Sequence, residues 1–293
     1  VRFRGNLASS FFHSSVNIMP FDSNSQSVPR LLVLGDLCRE EFRLWWEALP
    51  ETVRQQAVLG PPKRDFLPDF IVLLRSWSGE YSSSDVQTLR REFPLTPILA
   101  VQGNWCEGET RNGSPLAGVH SLEWYEFIAV APLEFRAFAE GWATVWSLPA
   151  ESQPEHRALF ELQRPAFRKP VSSAKPLRFH VESDDFDQFR VLRDFCLRTN
   201  WNERETQVFS SWTGNSEGEA DFLFFDFPDF NPETVRRFQK VSSLLPEAVR
   251  VAFCEFPRPH EWRLLQENGV AGIFPKPFRL VDLEFFVKGE RGQ

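Results

Sequence analysis

The chain of 293 residues is poor in sulfur and in tyrosine: one methionine, four cysteines and two tyrosines stand against 30 phenylalanines and ten tryptophans. The cysteines, Cys38, Cys106, Cys196 and Cys254, are scattered without CxxC spacing. That excludes a zinc ribbon or a dithiol redox motif and points to a reducing cytoplasm. No stretch combines the apolar length and the flanks of a signal peptide or a membrane-spanning helix, so no membrane partner is expected. An excess of basic charge is missing too. The formal net charge is −7 and is spread over both halves, which excludes a nucleic-acid footprint. No helix-turn-helix, phosphate-binding glycine loop, Ser-His-Asp set or dinucleotide fingerprint follows any strand-like segment.

What is present is phenylalanine, a rigid ring that buries a large area without needing a hydrogen-bond partner. The methionine is Met19, and the 18 residues before it carry no sustained period. Residues 1–28 are therefore read as a disordered leader or a mis-assigned start.

From Arg30 onward the pattern alternates. "RLLVLGD" (30–36) reads as a strand, followed by a helical period at Phe42, Trp45, Trp46 and Leu49. "PDFIVLL" (68–74) and "TPILAVQG" (96–103) are continuous apolar runs of the kind that strands buried on both faces require, with a Ser/Asp-capped helix at "SSSDVQTLRREF" between them. The second half repeats the order. "PLRFHVES" (176–183) precedes a helix carrying Phe186, Phe189, Leu192 and Phe195, and "ADFLFFD" (220–226) precedes one carrying Val235, Phe238, Val241 and Leu244. "VRVAFCE" (249–255), the helix "PHEWRLLQENG" and "GIFPKPF" close the chain. This predicts two α/β domains with parallel sheets of the doubly wound, flavodoxin-like type.

Superposing the halves places Asp69 on Asp221, Gln102 on Cys254, Gly141 on Gly269 and Pro149 on Pro277, which suggests an internal duplication. "GWATVWSLP" (141–149) then stands as the first half's last strand, and Leu148 takes the place of Lys276. The predicted domains are 29–150, with an insert at about 103–127, and 176–293, joined by a last helix and linker at 151–175. The insert holds Cys106, Glu107, Glu109, Arg111 and His120, a scattered set, on a loop packed down by Trp105 and Trp124. His156, His180 and His260 are isolated and receive no role.

On "DFLFFD", whose aspartates flank four apolar residues, and on "GVAGIFPKPF" (269–278), the second half resembles the receiver domain of two-component response regulators over about residues 176–288. The first half looks like a more diverged pseudo-receiver. The resemblance implies a site at the carboxyl ends of the strands. Asp226 is its phosphoacceptor candidate, Glu182 and Asp184 (or Asp185) with Asp226 would hold Mg²⁺, and Lys276 and Cys254 would face the phosphoryl group. A Lys-Pro bond can adopt the cis form and turn the lysine into the cleft.

The departures from that pattern decide the reading. Ser183 stands where a second acid is usual, and Cys254 stands where a hydroxyl is usual. Leu74, Gln102 and Leu148 replace acceptor, hydroxyl and lysine in the first half, where Asp36 alone remains of the acidic cluster. The expectation is a non-enzymatic signalling and interaction protein without a cofactor. Its partner would be an unidentified protein, a histidine kinase or another signalling protein. The alternative is a phosphoryl-accepting response regulator using Asp226 with Mg²⁺. A third reading places an enzyme site in the 103–127 insert.

Overall fold

A computed structural model describes residues 28–61, 65–108, 115–162, 177–198, 206–210 and 219–290. Residues 1–27 of the predicted leader, 163–175 of the predicted linker, and Glu109 and Arg111 lie outside the described residues.

In the first unit, β1 (Leu31–Leu34) leads into α1 (Glu40–Ala48), α2 (Glu51–Gln56) and β2 (Val58–Leu59). β3 (Phe70–Trp77), α3 (Ser83–Glu92), β4 (Ile98–Trp105), β5 (His120–Glu123), α4 (Trp124–Ala139) and α5 (Pro154–Leu162) follow. The second unit runs β6 (Arg178–Glu182), α6 (Phe186–Arg198), β7 (Gln207–Phe209), β8 (Phe222–Phe227), α7 (Pro232–Leu244), β9 (Val249–Cys254), α8 (Pro259–Glu267), β10 (Val270–Pro275) and α9 (Leu280–Glu290). Among the described residues the strands pair in parallel. The sheet orders are β2-β1-β3-β4-β5 and β10-β9-β8-β6-β7. Numbered within its own unit each is 2-1-3-4-5, so both units are doubly wound, flavodoxin-like sheets with helices on both faces.

The apolar runs form strands because alternate residues are buried on opposite faces. In β3, Ile71 and Leu73 pack towards α3, while Phe70, Val72 and Leu74 join the cluster of α1 and α4. In β8, Phe222 and Phe224 face the core of α6 and α9, while Leu223, Phe225 and Phe227 face α7 and α8. The helices start where their caps predict. Ser82 and Asp85 form a reciprocal capping box on α3, and Asn231 Oδ1 accepts from the amides of Glu233 and Thr234 ahead of Pro232 in α7.

The amino-terminal edges of the two sheets repeat one device. The amide of Arg30 donates to Asp69 Oδ2 at 2.8 Å and the amide of Asp69 donates back to the Arg30 carbonyl at 2.8 Å. Arg178 and Asp221 do the same at 2.8 Å in both directions.

The first unit's fifth strand is not at 141–149. It is His120–Glu123, inside the expected insert, paired in parallel with Leu99–Gln102. Four half-polar residues at a sheet edge bury too little to leave an apolar run in the sequence. The segment "GWATVWSLP" instead makes a 3₁₀ turn at Val145–Ser147. Its Trp146 is buried because it fills the space between Phe70, Phe127 and Phe135, with ring centroids 5.3–5.7 Å away. Gly141 adopts φ +76° just past the end of α4, the role of a helix stop. The loop reading of Trp105 is also corrected. It ends β4 beside Trp77 and is 78% exposed, while the neighbouring Cys106 is buried beneath the Arg75 carbonyl.

The two units share a core. α4 lies along β10, with Trp124 edge-on to Trp262 of α8 at 5.2 Å. Glu40–Arg263 (2.6 Å) and Glu107–Arg258 (2.8 Å) flank that contact.

Candidate functional site

In a sheet of order 2-1-3-4-5 the crevice at the carboxyl ends opens between the first and third strands, where the chain direction reverses. In the second unit these are β6 and β8. Asp226 stands there near the end of β8, 1% exposed. Its Oδ1 accepts from Lys276 Nζ at 2.8 Å, and its Oδ2 accepts from the Ser183 hydroxyl at 2.7 Å, just past β6. Ser183 Oγ in turn accepts from the amide of Asp185 at 3.1 Å. Each carboxylate oxygen of Asp226 thus has a donor.

Lys276 is delivered by the β9–β10 ladder. Its amide donates to the Cys254 carbonyl at 2.7 Å, one residue beyond the Pro275–Cys254 pair. The Lys276–Pro277 bond is cis, and Phe278 anchors the turn against Phe253 at 4.9 Å. Glu255 lies 3.6 Å from Lys276 Nζ on the solvent side. Cys254 is fully buried, and burial pushes its thiol up to about 12, so the sulfur at this strand end is a neutral thiol.

The other acids named from sequence do not converge on Asp226. Glu182 Oε1 meets His180 Nε2 at 2.8 Å, Asp184 pairs with Arg237, and Asp185 Oδ1 caps α6 through the amides of Asp187 and Gln188. Among the described residues no three His, Cys, Asp or Glu side chains gather as a metal-holding group. The donor set of Glu182, Asp184 and Asp226 does not fit Mg²⁺ as it stands, because each carboxylate faces its own cation or N–H or O–H donor. Nor do the described members of the 103–127 set gather. Glu107 is paired with Arg258 across the unit boundary, Cys106 lies under Arg75, and His120 Nε2 meets the Leu148 carbonyl at 2.9 Å.

Two partners went unread in the sequence. The His180–Glu182 pair is an i, i+2 contact on one face of a strand, so strand period alone could have found it. The Ser183–Asp226 bond carries no local signal, since 43 residues separate the two.

By strand register the same positions in the first unit are Gly35 or Asp36 after β1, Leu74 for Asp226, Gln102 for Cys254, and Trp124, which follows the Gln102–Glu123 pair, for Lys276. Leu148, assigned to the lysine position from sequence, lies past the 3₁₀ turn and is not at the strand ends. Leu74 is completely buried, and Trp124 donates from Nε1 to Asn104 Oδ1 at 3.0 Å.

No protein-family model matches the chain, and no curated protein matches it. Among solved structures it is similar to a response regulator from Thermotoga maritima (14% identity, 41% of this chain and 100% of that one, TM-score 0.34). It is similar also to a protein ascribed to pilus assembly, CpaE, from Burkholderia thailandensis (15%, 40% and 99%, TM-score 0.34). A third is the carboxyl-terminal part of Escherichia coli RcsC, a linker region and phosphoreceiver domain (14%, 94% and 98%, TM-score 0.31).

Proposed function

We propose that the chain is a non-enzymatic signalling protein made of two receiver-like units that arose by duplication, and that it acts by protein contact with a signalling partner such as a histidine kinase. The observation that carries this reading is the closed state of Asp226. Asp226 is 1% exposed and its two oxygens already accept from an ammonium and a hydroxyl, so a phosphoryl donor and a metal would have to enter a closed pocket and displace or share those donors. Ser183 supplies a donor where a second metal-binding acid would supply an acceptor, and Cys254 supplies a thiol, a weak donor, where a hydroxyl would register the phosphoryl oxygens. In the first unit Leu74 removes the acceptor altogether.

In this reading Lys276 and Asp226 form a fixed pair that ties β8 to the turn after β10 and holds the strand ends in a single state. The test is incubation of the intact chain with acetyl phosphate and Mg²⁺, followed by intact-mass measurement. The mass should be unchanged. Addition of one phosphoryl group, abolished by Asp226→Asn, would overturn the reading in favour of a phosphoryl-accepting response regulator.

A further inference from the structure

Beside β5, at the end of the first sheet among the described residues, lies a cavity of about 360 Å³, within the size range of small-molecule sites, roughly 300–1,000 Å³. Its apolar wall is Leu122, Val130, Val145 and Trp146, from β5, α4 and the 3₁₀ turn. Its polar groups converge from three directions: His120 on β5, Arg157 and Glu161 on α5, and Arg279 from the second unit. A smaller cavity of about 180 Å³ shares Leu122, Val130 and Arg279 with it and runs on to Pro275 and Pro277, on either side of Lys276. The two form one groove along the boundary between the units, a place where ligand sites concentrate.

The charges in the groove are unevenly matched. Arg279 is held by Asp282 through two bonds of 2.6 Å, by Glu134 at 3.5 Å and by Glu161. Glu134 has a further bond, its Oε2 accepting the Val145 amide at 2.9 Å. Arg157, one turn before Glu161, has no carboxylate within 4.0 Å among the described residues. Its guanidinium donates to the Ala150 carbonyl; burial holds the His120 imidazole below its ordinary value, and the Arg157 charge adds to that. His120 is occupied by the Leu148 carbonyl, so it does not compete for a ligand. The groove therefore offers an apolar pocket with a cation that lacks a counter-ion. A cationic ligand would meet Arg157, and a dianion would meet the three carboxylates around Arg279. A monoanion with an apolar body satisfies both.

We infer that this groove binds a small carboxylate with an apolar, ring-sized body, its acid group paired with Arg157 and its body against Leu122, Val130, Val145 and Trp146. Such a ligand lies beside Arg279 of the second unit, so its binding bears on the docking of the units. The site does not include Asp226 and stands whether or not that residue accepts a phosphoryl group.

The experiment is a titration of the intact chain with naphthalene-2-carboxylate and, separately, with the neutral naphthalene-2-methanol, followed by amide NMR. The carboxylate is expected to bind with a dissociation constant below about 1 mM and at least about tenfold tighter than the alcohol. Shifts should centre on Ser121, Val130, Trp146 and Arg279. Arg157→Gln should remove the preference for the acid, and Val130→Trp, which fills the cavity, should remove binding of both probes. The Arg157→Gln arm stands alone if the bulky variant fails to fold. Equal binding of acid and alcohol to the parent protein, shifts centred elsewhere, or no shift at about 5 mM carboxylate would overturn the proposal.

Discussion

At the carboxyl end of the first sheet, Gly35 and Leu74 face each other where the second sheet sets Ser183 against Asp226. The backbone registers are the same, and the fillings are opposite. A Cβ at Gly35 would lie 2.7 Å from Leu74 Cβ and 2.8 Å from the Leu74 carbonyl oxygen, and Gly35 has φ +123°, so a side chain is excluded there on two counts. In the second unit that space holds a hydroxyl, a carboxylate and an ammonium. At the lysine position the first unit places Trp124, which faces Trp262 of the other unit. One strand order thus accommodates either a buried ionic centre or an apolar plug. In the plugged unit the freed position serves docking, and in the ionic unit it serves the strand ends.

The comparison is broken most directly by giving the first unit the acid of the second. Leu74→Asp removes a fully buried leucine, at about 1.5–3 kcal/mol, and leaves a carboxylate beside Gly35 without the ammonium that the second unit supplies. A loss of about 4 kcal/mol or more is expected, read by urea unfolding, with no gain of Mg²⁺ affinity. Unchanged stability with new metal binding would show that the two registers are not equivalent.

The converse change empties the second site of its cation. Lys276→Met leaves Asp226 buried and without its ion pair, which should cost about 3 kcal/mol. Adding Asp226→Asn should restore most of the loss. If the double variant is no more stable than Lys276→Met alone, the pair is not the centre of the site.

Much of this comparison was legible in the sequence, and the illegible parts have physical causes. The Asp226 and Lys276 strand ends followed from "DFLFFD" and "FPKPF", because a strand buried on both faces is apolar throughout and its polar terminator stands out. Leu74 and Gln102 followed from the shared spacing. β2 and β7, of two and three residues, and β5, of four, carry too few apolar residues to show a period. "GWATVWSLP" misled because a 3₁₀ turn packed among aromatic rings has the same apolar content as a strand. The docking of the units was invisible: Arg279 meets Glu134 and Glu161 at sequence distances of well over one hundred residues.

That docking clasp titrates. Asp282 is pushed up to about 6 by burial, against the opposing pull of Arg279. Its ordinary value is 3.8, so between the two the folded chain binds a proton that the unfolded chain does not. Stability from this group is therefore fully present below about 4 and is lost as the pH rises through about 6, by about 3 kcal/mol. Glu126, raised by burial, works in the same direction, and His120, lowered by burial, works in the opposite one. The contribution is isolated as the difference between the parent chain and Asp282→Asn in urea unfolding between acid and neutral pH. A difference that does not change across that range would remove Asp282 as the titrating member of the clasp.

The smallest expected effect sharpens the comparison at a single atom. Ser183→Ala deletes the hydroxyl that donates to Asp226 Oδ2 and brings the second site one step towards the Gly35–Leu74 arrangement. Lys276 still neutralises the carboxylate, so the loss is that of one hydrogen bond to a charged group, about 1.5 kcal/mol. The amide of Asp185 loses its acceptor as well, but Asp185 Oδ1 still caps α6, so the helix start should hold. The variant also frees one oxygen of Asp226, which makes it the most sensitive background for the acetyl phosphate test. If the closed state rests on Lys276 alone, Ser183→Ala will unfold at the same urea concentration as the parent chain. If Ser183 is what keeps Asp226 unreactive, a phosphoryl adduct will appear in this variant and not in the parent.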